Sequence, residues 1–199
     1  MSESIKSIQR LVGTDPDGAM GPKTRAAMAG RTEQEILHPW ALGAPLVHTA
    51  ARGSREVRYI VVHHSDTKTV DGMVRALNAA PKKNKSTHYS VDKDGTIREH
   101  VDPWAHVTWH CVGANMYGIG LDVIHKHGES FTPEQVASLG TLLRWLCTAF
   151  GLPQVVAPGR VKLAKGAQLA KQPWGVCGHG DIQATLCPDG APIAQALAT

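Results

Sequence analysis

The chain has 199 residues, 42% hydrophobic and 19% charged, which is enough apolar material for a sizeable core in one main domain with a small appendage. Its formal net charge of +4 suits an anionic polymer. The absence of alternating aromatic and basic residues argues against nucleic acid, and no apolar run approaches the roughly 20 residues that span a bilayer. The N-terminus lacks the basic-then-apolar pattern of a signal peptide, so a cytoplasmic protein is expected, with its four cysteines free or metal-bound rather than paired.

Ile5, Ile8, Leu11 and Val12 have helical spacing, and a turn follows at Gly13–Gly18. A second helix is predicted from Pro22, a favoured first position, to Met28, stopped by Gly30. A short helix over Glu33–His38 precedes an irregular stretch. Tyr59-Ile-Val-Val-His63 closes an apolar, β-branched run predicted as a buried strand over 57–63. Met73, Val74 and Leu77 share one side of a helix over 71–80, and the basic segment 81–85 is a loop. Two strands, 88–92 and 96–101, form a hairpin around Lys93-Asp94-Gly95, and another strand covers 118–125. Thr132 caps a helix that runs from Pro133 to Phe150 with one apolar stripe. Residues 153–178 read as a long loop, and Asp189–Leu197 as a last helix. The fold class is α/β: a central mixed β-sheet flanked by helices, with a small N-terminal helical segment.

Two distant segments carry the chemistry. One is His63-His64-Ser65-Asp66-Thr67; the other is Gly178-His179-Gly-Asp181-Ile-Gln-Ala-Thr185-Leu-Cys187-Pro188. His63, His179 and Cys187 are donors of the type zinc prefers, and three protein ligands leave a fourth position open, as in a catalytic site. Alternation along the strand points His63 and His64 to opposite faces. A structural zinc built from Cys177, His179 and Cys187, or loop residues without a metal, stays open on this reading. A cysteine nucleophile at Cys187 is disfavoured because no helix begins there to lower its pKa and Pro188 removes a donor. His100, His106, His125 and His127 have no motif support.

These segments, with Thr87-His88-Tyr89, Trp109-His110 followed by Asn115, and Ile119-Gly120-Leu121-Asp122-Val123, occur in an order that resembles the zinc-dependent N-acetylmuramoyl-L-alanine amidases. That family includes bacteriophage lysozyme-type amidases, cell-wall-recycling amidases and peptidoglycan recognition proteins. The resemblance spans Arg58 to Leu197. It implies one Zn2+ per chain on His63, His179 and Cys187. It implies Asp122 as general base, where many members carry Glu, and Thr185 as a catalytic hydroxyl where others carry Lys. Thr87, His88, His110 and Asn115 are the implied substrate contacts. Residues 8–24 resemble a peptidoglycan-binding module without its first helix, so either wall targeting or a helical pair docked on the main domain is expected. The implied organisation is 1–31 truncated wall-binding-like segment, 32–56 linker with a short helix, and 57–199 amidase domain. The resemblance further implies a monomer acting on the muropeptide stem of peptidoglycan. It would be a bacteriophage endolysin that waits in the host cytoplasm until the membrane is opened. A non-catalytic peptidoglycan-binding protein, a recycling amidase and a secreted effector are the alternatives.

Overall fold

The computed structural model describes residues 3–79, 85–156, 175–182, 185, 187, 188 and 190–198. The loops read over 81–84 and 157–174 lie outside them. Helix α1 (Glu3–Leu11) buries Ile8 against Ile36 and Leu37. The turn that follows is tied by Gln9, which is 2% exposed: its Oε1 accepts the Gly18 N–H at 2.8 Å, and its Nε2 donates to Asp17 Oδ1 at 2.6 Å. Helix α2 (Pro22–Ala27) starts on its proline. Helix α3 (Glu33–Leu37) starts on a capping box, Thr32 with Glu35.

The chain then makes β1 (Ala41–Leu42), β2 (Thr49–Ala51), β3 (Tyr59–His64), α4 (Val70–Asn78), β4 (Tyr89–Val91), β5 (Ile97–Glu99), β6 (His106–Thr108) and β7 (Gly118–Val123). After these come α5 (Pro133–Phe150), β8 (Gly175–Gly178), α6 (His179–Ile182) and α7 (Gly190–Ala198). Six strands form one mixed sheet in the order β1-β5-β4-β7-β3-β8. The core of that sheet is parallel: β3 lies between β7 and β8, and β4 joins the other side of β7. The hairpin of β4 and β5 is antiparallel, while β2 and β6 form a separate two-stranded ribbon.

The two sheet faces have different tasks. Ile60, Val62, Ile119, Leu121 and Val123 face α5 and α7, where Leu139, Leu142, Leu143, Leu146 and Ile193 complete a dry core. At about 25 cal/mol per Å2 of apolar surface removed from water, each such side chain contributes roughly 1.5–3 kcal/mol. Both ends of α5 are satisfied: Thr132 and Gln135 form a reciprocal cap, fuller than the loose match read from sequence, and Gly151 closes the other end. Tyr59, Val61 and Cys177 face the opposite way, with Cys111, Ala114 and Ile182.

The predicted strand over 57–63 and the helices over 133–150 and 189–197 fall within two residues of the observed elements. The expected loop over 153–178 is corrected at its end, because residues 175–178 are strand β8. Its two central residues are flanked by glycines, so no period shows. Strands β1 and β2 lie in the stretch expected to be irregular, and β6 lies where no element is predicted; with two or three residues each they carry no period either.

The N-terminal helices are docked on the main domain. Arg10 Nη1 donates to the Ala149 carbonyl at 2.9 Å at the end of α5, and Trp104 stacks on Phe150 while its Nε1 donates to Ser7 Oγ at 3.0 Å. Ile8 is fully buried in this junction. Ile8→Ala is therefore expected to destabilise the protein by about 2–5 kcal/mol, the usual cost of a core cavity. A urea titration checks this, and a midpoint unchanged from wild type would mean that the junction does not contribute to stability.

Candidate active site

Parallel pairing places the first two groups. In the register of β3 and β7, His63 lies directly opposite Asp122. Register partners on neighbouring strands point to the same face about 4.8 Å apart, so the imidazole and the carboxylate emerge side by side on the face away from α5. His64 points the other way, as alternation predicts. It meets His125 and His127, with ring centroids 5.0 and 5.8 Å away.

The other two donors come from the end of β8. His179 begins α6 directly after the strand, and the Asp181 carboxylate accepts the Gly178 N–H at 2.8 Å, which fixes the turn. The following segment folds back, and the Gly180 N–H donates to the Pro188 carbonyl at 3.0 Å. A Cβ at residue 180 would sit 2.8 Å from the Cys187 oxygen, so glycine is what lets Cys187 close onto His179. As a result one donor atom each from His63, His179 and Cys187 lies within 4.8 Å of the others.

The donor set fits a soft or borderline divalent metal. His63 Nδ1 is 3.1 Å from His179 Nδ1, and His63 Nε2 is 3.1 Å from His110 Nδ1. Burial pushes the His63 pKa well below its ordinary value, with the His110 and His179 charges adding to the effect, so the ring is neutral and has one lone pair to offer. If Nε2–H donates to His110, the bare Nδ1 faces His179, which is the tautomer a metal ligand needs. Burial also raises the Cys187 thiol, offset by the His64 backbone amide and the Thr185 hydroxyl, so a metal must displace its proton. Cys177 does not join them: it is 1% exposed, and its Sγ bonds the Ile60 carbonyl in the core. The structural-zinc alternative therefore loses a ligand among the described residues.

Asp122 stands on the wall of a cleft of about 610 Å3 that the three donors also line. Burial pushes its carboxyl up to about 6, against the pull of the Thr87 hydroxyl and of Lys85. Trp109, Val112, Met73 and Leu77 supply apolar wall, and exposed Thr185 sits on the rim, its Oγ1 accepting the Cys187 N–H at 3.3 Å.

Of the expected substrate contacts, His88 and Thr87 need correction, while His110 and Asn115 line the cleft. His88 is fully buried, its Nδ1 bonded to Thr108 and the Gly120 N–H and its Nε2 3.2 Å from the His106 carbonyl, so it cannot touch a substrate. Thr87 is equally buried: its Oγ1 donates to the Tyr89 carbonyl at 3.3 Å, and it lowers the pKa of the Asp122 carboxyl beside it. His110 lines the cleft, but its ring is turned against His63; burial drives its pKa down to about 3. Asn115 lines the cleft too, and it ties the loop by accepting the His110 and Cys111 N–H groups at 2.9 and 2.7 Å. Spacing alone could not separate a residue that lines the cleft from one that braces it.

Two supports went unread in the sequence. A Cβ at Gly120 would lie 2.6 Å from His110 Cγ, so the bare glycine seats that ring. Arg52, 3% exposed, donates to the Pro103 and Gly118 carbonyls at 2.6 and 3.3 Å and braces the loop around His88. A lone Gly in a strand or a lone Arg in a loop gives no period to detect.

Comparison with known proteins gives the family and the fold. The family described as N-acetylmuramoyl-L-alanine amidase matches residues 53–190, well over half of the chain. A Rickettsia conorii protein bearing the same amidase name is 27% identical over 93 residues, which are 43% of this chain and 34% of that protein, so the match spans about a third of the relative. The amidase LysC from Clostridium intestinale has a similar fold at a TM-score of 0.54 and 21% identity, covering 80% of this chain and 91% of that one. The Ph2119 endolysin from a Thermus scotoductus bacteriophage reaches 0.51 at 17% identity, covering 75% and 90%.

A carboxyl raised to about 6 costs stability when ionised. The unfolded chain ionises near 3.9. Wild type therefore loses stability as pH rises from about 4 through about 6, and an amide at this position does not. Asp122→Asn in chelator-treated protein should melt higher than wild type at pH 8, with the difference fading toward pH 4. Equal melting temperatures at pH 8 would show that the carboxylate ionises without penalty.

Proposed function

The chain belongs to the N-acetylmuramoyl-L-alanine amidase family, and we propose that it is a zinc amidase holding one ion per chain. On this reading it hydrolyses the amide between the lactyl group of N-acetylmuramic acid and L-alanine of the peptidoglycan stem. The observation that carries the reading is the convergence of His63, His179 and Cys187 beside Asp122 in one cleft. That combination of three neutralisable donors and one perturbed carboxyl suits metal-assisted hydrolysis of an amide.

A zinc ion held by these donors would supply Lewis acidity and would bring the pKa of a water in the open position to about 7. The chain supplies the remaining steps. His110, seated over Gly120, fixes the His63 tautomer. Asp122 takes a proton from the attacking water and returns it to the leaving nitrogen, and a carboxyl raised toward working pH does both well. Thr87 aims that carboxylate. The Thr185 hydroxyl offers a hydrogen bond from the rim. The cleft is within the usual size for a small ligand and takes the muramoyl-peptide junction between its apolar wall and the metal.

Biologically, we read the protein as a monomeric bacteriophage endolysin that reaches the host wall from the cytoplasm after membrane permeabilisation. The wall-module likeness of residues 8–24 and the shared fold with the Ph2119 endolysin support this.

Purified protein should carry close to one zinc by elemental analysis and release free peptide from sacculi, and a chelator should stop the release. His63→Ala, His179→Ala and Cys187→Ala should each lose the zinc. Asp122→Asn should keep it while losing about 100- to 10,000-fold in turnover. Full zinc retention in all three ligand variants would overturn the site assignment.

A further inference from the structure

Attack on an amide moves a pair of electrons onto the carbonyl oxygen, and a preorganised cation or donor at that oxygen is among the largest single contributions to catalysis. Among the described residues lining the cleft, Lys85 alone carries a permanent positive charge. Asp122 is the only carboxylate among those lining residues. No described carboxylate pairs with Lys85 within 4 Å, so its ammonium is available to a ligand.

The backbone around Lys85 is anchored although its side chain is exposed. Ser86, 2% exposed, donates its N–H to the Trp109 carbonyl at 3.1 Å, accepts the Trp109 N–H on its hydroxyl at 2.9 Å, and donates that hydroxyl to the His48 carbonyl. These bonds fix the backbone next to Lys85 at the wall of the cleft, which Ser86 also lines. Lys85 lines the same cleft as His63, Asp122 and Cys187.

We propose that Lys85 is a catalytic residue of the amidase reaction, its ammonium donating a hydrogen bond to the scissile carbonyl oxygen as negative charge develops there. The inference rests on the amidase reading above. The water oxygen bonds to the carbonyl carbon and the π pair moves to the oxygen facing Lys85, which keeps its own proton. The pair then returns, the carbon–nitrogen bond breaks, and the nitrogen leaves with the proton that Asp122 accepted from the water. Lys85 thereby provides the charge that the neutral Thr185 hydroxyl cannot.

The test uses the full-length, zinc-loaded protein with Lys85→Met and Lys85→Arg. The substrates are a soluble muramoyl peptide with free stem carboxylates and its amidated counterpart. Lys85→Met should keep one zinc per chain and a near-unchanged KM, and should lose about 100- to 1,000-fold in kcat on both substrates. Arg should recover at least about tenfold. A phosphonamidate mimic of the tetrahedral species should bind Lys85→Met more weakly by calorimetry, while the product peptide binds as before. An unchanged kcat overturns the proposal. So does a raised KM that disappears on the amidated substrate, since Lys85 would then anchor a stem carboxylate. Loss of zinc from Lys85→Met would make the lysine a structural residue and overturn it as well. If wild type itself fails to cleave, the amidase reading falls and takes the proposal with it; if wild type cleaves and Lys85→Met matches it, only the proposal falls.

Discussion

Strand β3 is held on both sides by parallel neighbours, β7 and β8, and His63, Asp122 and His179 take their positions from that pairing. The register with β7 sets His63 against Asp122, and the register with β8 delivers the chain to His179 just past the sheet edge. A slip of one residue on β3 would turn His63 into the core and His64 into the cleft. What prevents the slip is the apolar face: Ile60 and Val62 must meet Leu139, Leu142 and Leu143 of α5. The dry side of the sheet thus determines the chemistry of the wet side. Parallel strands buried on both faces are the arrangement in which such coupling is tightest.

Burial then sets the charge state. Around the donors the rings are neutral because ionising them in a shielded site is unfavourable, and the same desolvation raises Asp122. The site thus holds neutral donors for a divalent cation, one carboxyl near its working range, and one exposed lysine on its wall. Stability is lost to keep that carboxyl ionisable, a frequent cost of active sites. The fixed supports are backbone and glycine contacts: Gly120 under His110, Gly180 under Cys187, and the Asn115 side chain across the His110 loop. They bring no charge of their own, so they position the rings without altering the titration.

The N-terminal helices illustrate how a likeness in sequence and a position in the fold answer different questions. The turn from Asp15 to Gly21 is rigid because Gln9 is buried within it and bonds Asp17, Gly18 and Ala19. The same unit packs through Ile8, Ser7 and Arg10 onto Trp104 and the end of α5. Helix α1 therefore finds on the main domain an apolar surface that a full three-helix module would supply for itself.

Local signals carried much of this. The β-branched run before His63, the Thr132-Pro133 start of α5, its apolar stripe and the period-two logic separating His63 from His64 are all short-range features. They were legible because side-chain direction follows from backbone period alone. The donors His63, His179 and Cys187 were legible as residue types at a telling spacing. What the sequence could not decide was which polar residues face the cleft and which brace it. His88 and Thr87 are buried, and His110 leans on His63, because β4, β6 and β7 come together from distant parts of the chain around Arg52 and Gly120. Strands of two to four residues such as β1, β2, β6 and β8 exist only because a neighbour completes their hydrogen bonds. Composition and period determined the core and the candidate ligands; tertiary pairing alone decided the positions of Asp122, His110 and Lys85, since contacts between distant segments leave no periodic trace in the chain.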